Sequence, residues 1–264
     1  MSQPTVLDWR AAELQARLAP LLPGIAVEVL AESGSTNTLL IERARVEARP
    51  TLLVSEHQTG GRGRMGRTWV AEPGASLTFS LGLPLPPADW SGLSLAVGCC
   101  IAEALEPDGQ SLRIKWPNDL WLVDAQRTGR KLGGVLIESQ LRGDERYLVV
   151  GVGLNVRATT TADASQFGSG YAALAELQAG LDAPAVLAQV APALLQCVLE
   201  FGNGGFAAWQ DRFDKRDLCK GRPVMAGELR GVAQGVSNGG ELLLQTPNGM
   251  HRIASGEVSL RLDQ

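Results

Sequence analysis

Apolar residues fall at helical spacing at both ends of the first two thirds of the chain and at strand spacing between. Leu14 and Leu18 stand four apart after Trp9, and the stretch 8–19 ends at Pro20, which predicts a short amphipathic helix. Ser35-Thr36-Asn37 places three N-cap residue types in a row ahead of Leu39, Leu40 and Ala44, so a second helix is predicted to run from there toward Pro50. Thr51 to Ser55 and Ser76 to Leu81 read as strands, with a Gly/Arg-rich loop over 57–67 between them. Pro84, Pro86 and Pro87 interrupt the chain before a long apolar stretch, Ser91 to Leu105, which predicts a core helix.

Leu112 to Lys115 and Leu120 to Val123 are strand-like and flank Trp116-Pro117-Asn118-Asp119, and Leu132 to Ser139 and Tyr147 to Val156 follow as two further β-rich runs. An antiparallel meander is expected. Residues 157–170 are polar, and helices are expected within 171–179, 184–201 and 205–213. After Asp217 the pattern becomes short strands, Arg222 to Ala226, Leu229 to Val236, Glu241 to Gln245 and Met250 to Ala254, separated by Gly and Asn turns. Helix, then mostly strand, then helix is an α+β order and not the regular alternation of a doubly wound sheet. Two domains are expected, residues 1–216 and a small β-barrel over 217–264.

Composition narrows the function. Of 264 residues, 45% are hydrophobic and 20% charged, enough to bury a core and incompatible with intrinsic disorder. The net charge is -4 and the pI about 5.3, so there is no global basic field for nucleic acid and any anion site must be local. No apolar run approaches 18 residues, and Met1 to Thr5 lacks a signal-peptide plan, so a soluble cytoplasmic protein without membrane contact is expected. Cys99, Cys100, Cys197 and Cys219 lack C-x-x-C spacing and only His57 and His251 join them, so no metal cluster is expected and the cysteines read as buried packing thiols.

Gly61-Arg62-Gly63-Arg64-Met65-Gly66 matches G-x-G-x-x-G by letter, but Arg67 to Pro73 offers no helical face, so the dinucleotide fingerprint lacks its helix. Glycine lets a backbone approach a ligand and arginine forks neutralise phosphate or carboxylate oxygens, so the loop reads either as an anion grip or as a solvated basic hairpin. No Walker-type loop occurs, and Gly235 to Gly239, a G-x-S-x-G by letter, lies between short strands and reads as a turn. Lys115 to Asp119 gathers a cation, an aromatic, a rigid turn, an amide and a carboxylate, though a tight turn alone also asks for Pro and Asn. Lys131 precedes Gly133 and Gly134, and two glycines in a strand favour something close to the backbone.

Together these segments resemble one family. Ser35-Thr36-Asn37, Gln58 with Gly61 to Arg67, Lys115 to Asp119, Lys131 to Glu138 and Val149 to Asn155 occur in the order and approximate spacing of biotin protein ligases, and Gly256 to Arg261 resembles that family's C-terminal signature. The resemblance covers about residues 30–262. The thirty or so residues ahead of Ser35 are too few for the helix-turn-helix domain of some members, so the chain resembles the monofunctional kind, without DNA binding.

The resemblance implies a mixed-sheet biotin/lipoate ligase-like catalytic domain followed by a small SH3-like barrel. It implies that ATP and Mg2+ activate biotin to biotinyl-5'-AMP, and that biotin passes to one lysine of a biotin carboxyl carrier domain such as that of acetyl-CoA carboxylase. Apposing a carboxylate and a triphosphate needs cations, which Arg62, Arg64, Lys115 and Lys131 supply. By resemblance Lys131 bridges the biotin carboxylate and the α-phosphate, and Arg62, Gly63 and Arg64 belong to a loop closing on the adenylate. Ser35, Thr36, Asn37 and Gln58 with Gly61, Gly133 and Gly134 resemble the biotin contacts. Trp69 matches an adenine-stacking position, with ordinary core packing as the alternative, and Asn118 and Asn155 resemble nucleotide-lining positions. Asp119 is the carboxylate expected to orient or deprotonate the acceptor amine, and Arg261 and Glu257 resemble residues reaching the nucleotide end or the carrier. The competing readings are a lipoate or octanoate ligase, a non-catalytic biotin sensor, and an RNA binder. The loop and terminal signature favour biotin, retention of Lys131 and Arg64 disfavours the sensor, and the net charge opposes RNA. A monomer or weak homodimer is expected.

Overall fold

The computed structural model describes residues 7–86, 88–126, 128–142, 145–159, 170–255 and 260–262. These fall into two compact units, one within Met1–Pro87 and Arg130–Gln196, the other within Ala88–Gly129 and Cys197–Gln264.

The first unit carries α1 (Ala11–Leu18), β1 (Ala26–Ser33), α2 (Thr36–Ala44), β2 (Thr51–Gln58), β3 (Ser76–Leu85), β6 (Gly129–Arg142) and β7 (Glu145–Asn155). Its strands lie in the order β1-β2-β3-β7-β6. β1 and β2 are parallel, whereas β2 with β3, β3 with β7, and β7 with β6 are antiparallel, so the sheet is mixed as expected. β1 carries no strand pattern in the sequence because Glu28 and Glu32 break its apolar run, and only Ala26 and Ser33 at its ends are buried. Leu52, Leu53 and Val54 of β2 are consecutive and buried, the mark of a strand covered on both faces.

α2 begins where Ser35, in extended conformation, turns its hydroxyl toward the Thr38 N–H at 3.5 Å. Its Leu40 and Ala44 pack with Leu53, Tyr147 and Val149. Truncating Leu40 there would cost about 2–5 kcal/mol, enough to loosen the helix from the sheet. β3 has two buried faces of different chemistry: Leu77, Phe79, Leu81 and Leu83 on one, Ser76, Thr78 and Ser80 on the other. Buried hydroxyls need partners, and Thr78 donates to the Ser55 carbonyl at 2.8 Å. Ahead of α1, the buried Trp9 donates its indole N–H to Glu56 at 2.8 Å.

The second unit contains α3 (Leu93–Leu105), the antiparallel hairpin β4 (Leu112–Lys115) and β5 (Asp119–Val123), α5 (Gln210–Asp214), and a five-stranded antiparallel sheet of order β11-β10-β9-β8-β12. Those strands are β8 (Pro223–Ala226), β9 (Leu229–Val236), β10 (Leu242–Thr246), β11 (Gly249–Ile253) and β12 (Leu260–Leu262). α3 is buried from Leu93 through Ala102 except at Ser94, so it is a core helix. The four cysteines are free and buried, and burial raises the Cys99 thiol well above its ordinary range. The Ser237 hydroxyl accepts the N–H groups of Gly239 and Glu241, so the G-x-S-x-G letters belong to a turn.

One expectation changes. Within 171–179 only a 3-10 turn, Leu174–Glu176, forms: the Ala173 N–H donates to Glu176 at its start, and Gly180, at φ 85°, ends the segment. α4 (Ala183–Gly204) is, among the described residues, the one helix long and apolar enough to cross a membrane, with half of its apolar window buried. Gln189 and Gln196 interrupt its apolar run, and Val186, Leu187, Val190, Leu194 and Val198 form a buried stripe at helical spacing, the pattern of a core helix.

Candidate active site

In the first unit Thr36, Asn37, Gln58 and Arg62 come together around the start of α2. The Gln58 side-chain oxygen accepts the Thr36 N–H at 2.8 Å and the Thr36 hydroxyl at 3.1 Å. The Ser80 hydroxyl lies 2.6 Å from both the Thr36 hydroxyl and the Asn37 side-chain oxygen. Asn37 donates its Nδ2 to the Leu136 carbonyl at 3.2 Å and to Glu138 Oε2 at 2.9 Å. Glu138 Oε1 in turn receives the Arg62 guanidinium at 2.6 Å. One hydrogen-bonded chain thus runs from β2 through the helix start and β3 to β6 and the Gly/Arg loop.

Strand register explains how these groups reach one another. Leu136 pairs with Gly151 and Gly134 with Gly153, so three glycines fall beside Leu136 on one face of β6 and β7. A Cβ at Gly151 would overlap the Asn37 side chain, and one at Gly153 would lie 2.5 Å from the Trp69 ring. Asn37 and Trp69 therefore sit side by side on a surface that only glycine leaves open. Trp69 is half-buried, and its Nε1 is buried with no hydrogen-bond partner among the described residues.

The Gly/Arg loop is a folded hairpin. Arg62 and Thr68 pair, the Gly63 N–H donates to the Arg67 carbonyl at 2.7 Å, and the Trp69 N–H donates to the Gly61 carbonyl at 2.9 Å. Arg64, Met65 and Gly66 form the tip, where Met65 takes the left-handed conformation at φ 56°. Gly61 is buried, Gly63 and Arg64 half-buried, and Arg62 exposed beside Glu138.

Lys131, half-buried on β6, is fixed by its backbone. Its N–H donates to the Gly170 carbonyl at 3.3 Å, and its carbonyl receives the Ala172 N–H at 2.9 Å and Asn155 Nδ2 at 3.4 Å. Asn155 also donates to the Ala172 carbonyl at 3.0 Å, so the buried amide braces the strand that carries the lysine. Gly133 is buried one turn of the pleat further on. Tyr171, opposite Lys131, is pushed up to about 12 by burial and by Glu72 and Glu176, and stays protonated.

In the second unit, Lys115 and Asp119 face each other across the β4–β5 hairpin. Lys115 is buried, its ammonium 4.8 Å from the Trp121 ring centroid in a cation–π contact. Asn118 and Asp119 are half-buried. Trp116 is a fully buried core residue, its indole donating to the Gly240 carbonyl at 3.0 Å. Arg261 lies on β12, paired with Met225, and Glu257 lies outside the described residues. Among the described residues no group of three or more His, Cys, Asp or Glu could hold a metal ion. The half-buried Asp119 is a single carboxylate, the number a Mg2+ carried by nucleotide phosphates would take from the protein.

Ser80, Glu138, Gly151 and Gly153 were given no role from sequence. The signal was present for two kinds of residue: hydroxyls at 76, 78 and 80 alternate with apolar residues on a strand, and glycines at 151 and 153 share one strand face.

Residues 30–155 match the biotin/lipoate A/B protein ligase family, the class that the mixed sheet and the helix-start network define, and residues 224–261 match the biotin protein ligase C-terminal domain. The bifunctional ligase/repressor BirA of Escherichia coli is 35% identical over 248 residues, 91% of this chain and 75% of that protein. The biotin--[acetyl-CoA-carboxylase] ligase of Paracoccus denitrificans is 29% identical over 87% of this chain and 98% of its own. The structure of the Aquifex aeolicus biotin protein ligase in complex with biotin and ATP superposes with a TM-score of 0.73 at 31% identity, covering 90% of this chain and 99% of that one. The chain belongs to the biotin protein ligase family.

Proposed function

We propose that the helix-start network and the Gly/Arg hairpin are where this chain binds biotin and activates it. Biotin is a neutral bicyclic urea on an aliphatic chain ending in a carboxylate, so its site needs uncharged donors and acceptors at one end and cations at the other. The observation that carries the reading is the chain of hydrogen bonds from Gln58 and Thr36 to Arg62, which joins those two kinds of chemistry within one unit.

The reaction is ATP-dependent activation of biotin followed by transfer to a carrier lysine. In the first step a biotin carboxylate oxygen bonds to the α-phosphorus of ATP, and pyrophosphate leaves. Lys131, Arg62 and Arg64 offset the charge that gathers when two anions meet. Mg2+, when bound with the nucleotide, lowers the repulsion among its phosphates, and Asp119 is the carboxylate assigned to help hold it. In the second step the acceptor amine forms an amide with the biotin carbonyl, AMP leaves, and the amine proton departs to a base. A free lysine has a pKa of about 10.4, so the amine must be deprotonated or oriented, the role assigned to Asp119. Trp69 is assigned to adenine stacking, and Asn118, Asn155 and Arg261 to the nucleotide end.

The reading includes a biotin carboxyl carrier domain as protein partner, a cytoplasmic location, a monomer or weak homodimer, and no DNA partner, the last supported by the net charge of -4. It places the domain boundary at 216/217, supported by the separate family match over 224–261.

The test is biotin-dependent exchange of labelled pyrophosphate into ATP with Mg2+, run beside lipoate and octanoate and beside Lys131→Ala. Exchange with biotin alone, lost in the variant, is expected. Exchange with lipoate or octanoate instead would reassign the substrate, and calorimetric biotin binding without exchange would make the protein a sensor.

A further inference from the structure

Glu138 sits between two groups assigned to opposite ends of the ligand. One carboxylate oxygen takes Asn37 Nδ2 at 2.9 Å and the other takes the Arg62 guanidinium at 2.6 Å. Asn37 is itself held by the Leu136 carbonyl, by Ser80, and by the absence of any side chain at Gly151. The sheet therefore helps determine where the carboxylate stands. Arginine carries about 2 kcal/mol of rotamer entropy, and the Arg62 side chain is 47% exposed. A charge-assisted bond to a fixed carboxylate removes that freedom.

We propose that Glu138 is a positioning residue for this reaction: it pins Arg62, and with it the hairpin from Gly61 to Thr68, and through Asn37 ties that hold to the groups that orient Thr36 and Gln58. The proposal rests on the site reading given above. Its consequence is that loop order and biotin binding are coupled. The network that holds the start of α2 is the one that holds the loop arginine, so loosening Glu138 is felt both in the hairpin and at the biotin end of the site.

Glu138→Gln is nearly isosteric and discriminating. A carboxylate accepts at both oxygens, whereas an amide has one oxygen and one NH2, so in the variant either Asn37 Nδ2 or Arg62 faces a donor. Losing one charged hydrogen bond corresponds to about a tenfold effect. Amide exchange of the ligand-free protein over residues 61–69 and the biotin KM in pyrophosphate exchange are measured for the parent, Glu138→Gln, Glu138→Asp, Arg62→Ala and the Glu138→Gln/Arg62→Ala double variant.

Glu138→Gln and Arg62→Ala are each expected to speed loop exchange and to raise the biotin KM about tenfold, more than they lower kcat, with the double variant no worse than the singles. Glu138→Asp, which keeps the charge, is expected to fall between. Parental loop exchange and KM in Glu138→Gln, or a double variant whose effect is the product of the singles, overturns the proposal. Amide exchange reads the pin whether or not biotin proves to be the substrate, so a failure of the substrate reading shows only in the activity arm.

Discussion

Asn37 occupies the space above Gly151 that the Cβ of any other residue would claim. β7 pairs there with Leu136 of β6, whose carbonyl receives the Asn37 amide, so one glycine lets a helix-start side chain lie flat on the sheet and reach across to Glu138.

Gly151→Ala should displace Asn37 and break its bonds to Ser80 and Leu136. Overpacking of this kind costs about 1–3 kcal/mol, and biotin use should weaken with it. Adding Asn37→Ala should restore much of the thermal stability, because the clash is gone, without restoring the biotin KM. Unfolding curves and pyrophosphate exchange on both variants check this, and a single variant that melts with the parent would show that the side chain swings clear at no cost.

Trp69 lies on Gly153 with its Nε1 unpartnered among the described residues. If the ring face serves adenine, Trp69→Ala should raise the ATP KM by about tenfold or more, the usual size of a base–aromatic stack, and Trp69→Phe should do less harm. The biotin KM should move less than the ATP KM. Equal rises in both would mark Trp69 as packing for the whole site.

Most of this fold was legible because its elements carry strong local signals. Ser35-Thr36-Asn37 is an N-cap run, Thr51 to Val54 a buried strand, and the turns after Asp217 are rich in Gly and Asn. β1 was missed because Glu28 and Glu32 interrupt it, and the 171–179 helix failed because a single turn with Gly180 behind it cannot propagate. The motif residues were found through the order of segments. Ser80 lies outside those segments, and Glu138, Gly151 and Gly153 lie inside them with no role legible, since each acts through a residue distant in sequence or across a strand pair and only the register brings them into contact.

Arg64 stands at the tip of the hairpin, beside Met65 in its left-handed turn. Arg64→Gly should leave the hairpin base intact, since Arg62–Thr68 pairing and the Trp69 to Gly61 bond do not involve its side chain. The expected result is release of biotinyl-AMP to solvent before carrier transfer, read by quenching single-turnover reactions and separating free from bound adenylate. Retention equal to the parent would place the seal elsewhere.

Asp217 gives the second unit a pH-dependent stability that owes nothing to catalysis. Burial raises its carboxyl from 3.8 to about 6, against the lowering effect of the Cys219 and Lys220 N–H groups, the former donating at 2.7 Å. The folded state therefore binds more protons than the unfolded state between those two values, and stability falls as pH rises through that window. Below it the carboxyl is neutral in both states. Above it the folded chain carries a buried charge, at a cost of up to about 3 kcal/mol for a shift of this size. Asp217→Asn keeps an oxygen for the Cys219 N–H and removes the charge, so the Tm of the variant should rise relative to the parent between pH 4 and 7, in the direction opposite to a salt-bridged carboxylate. A Tm difference that stays constant across that range would show that Asp217 ionises in the folded protein as it does in the unfolded chain.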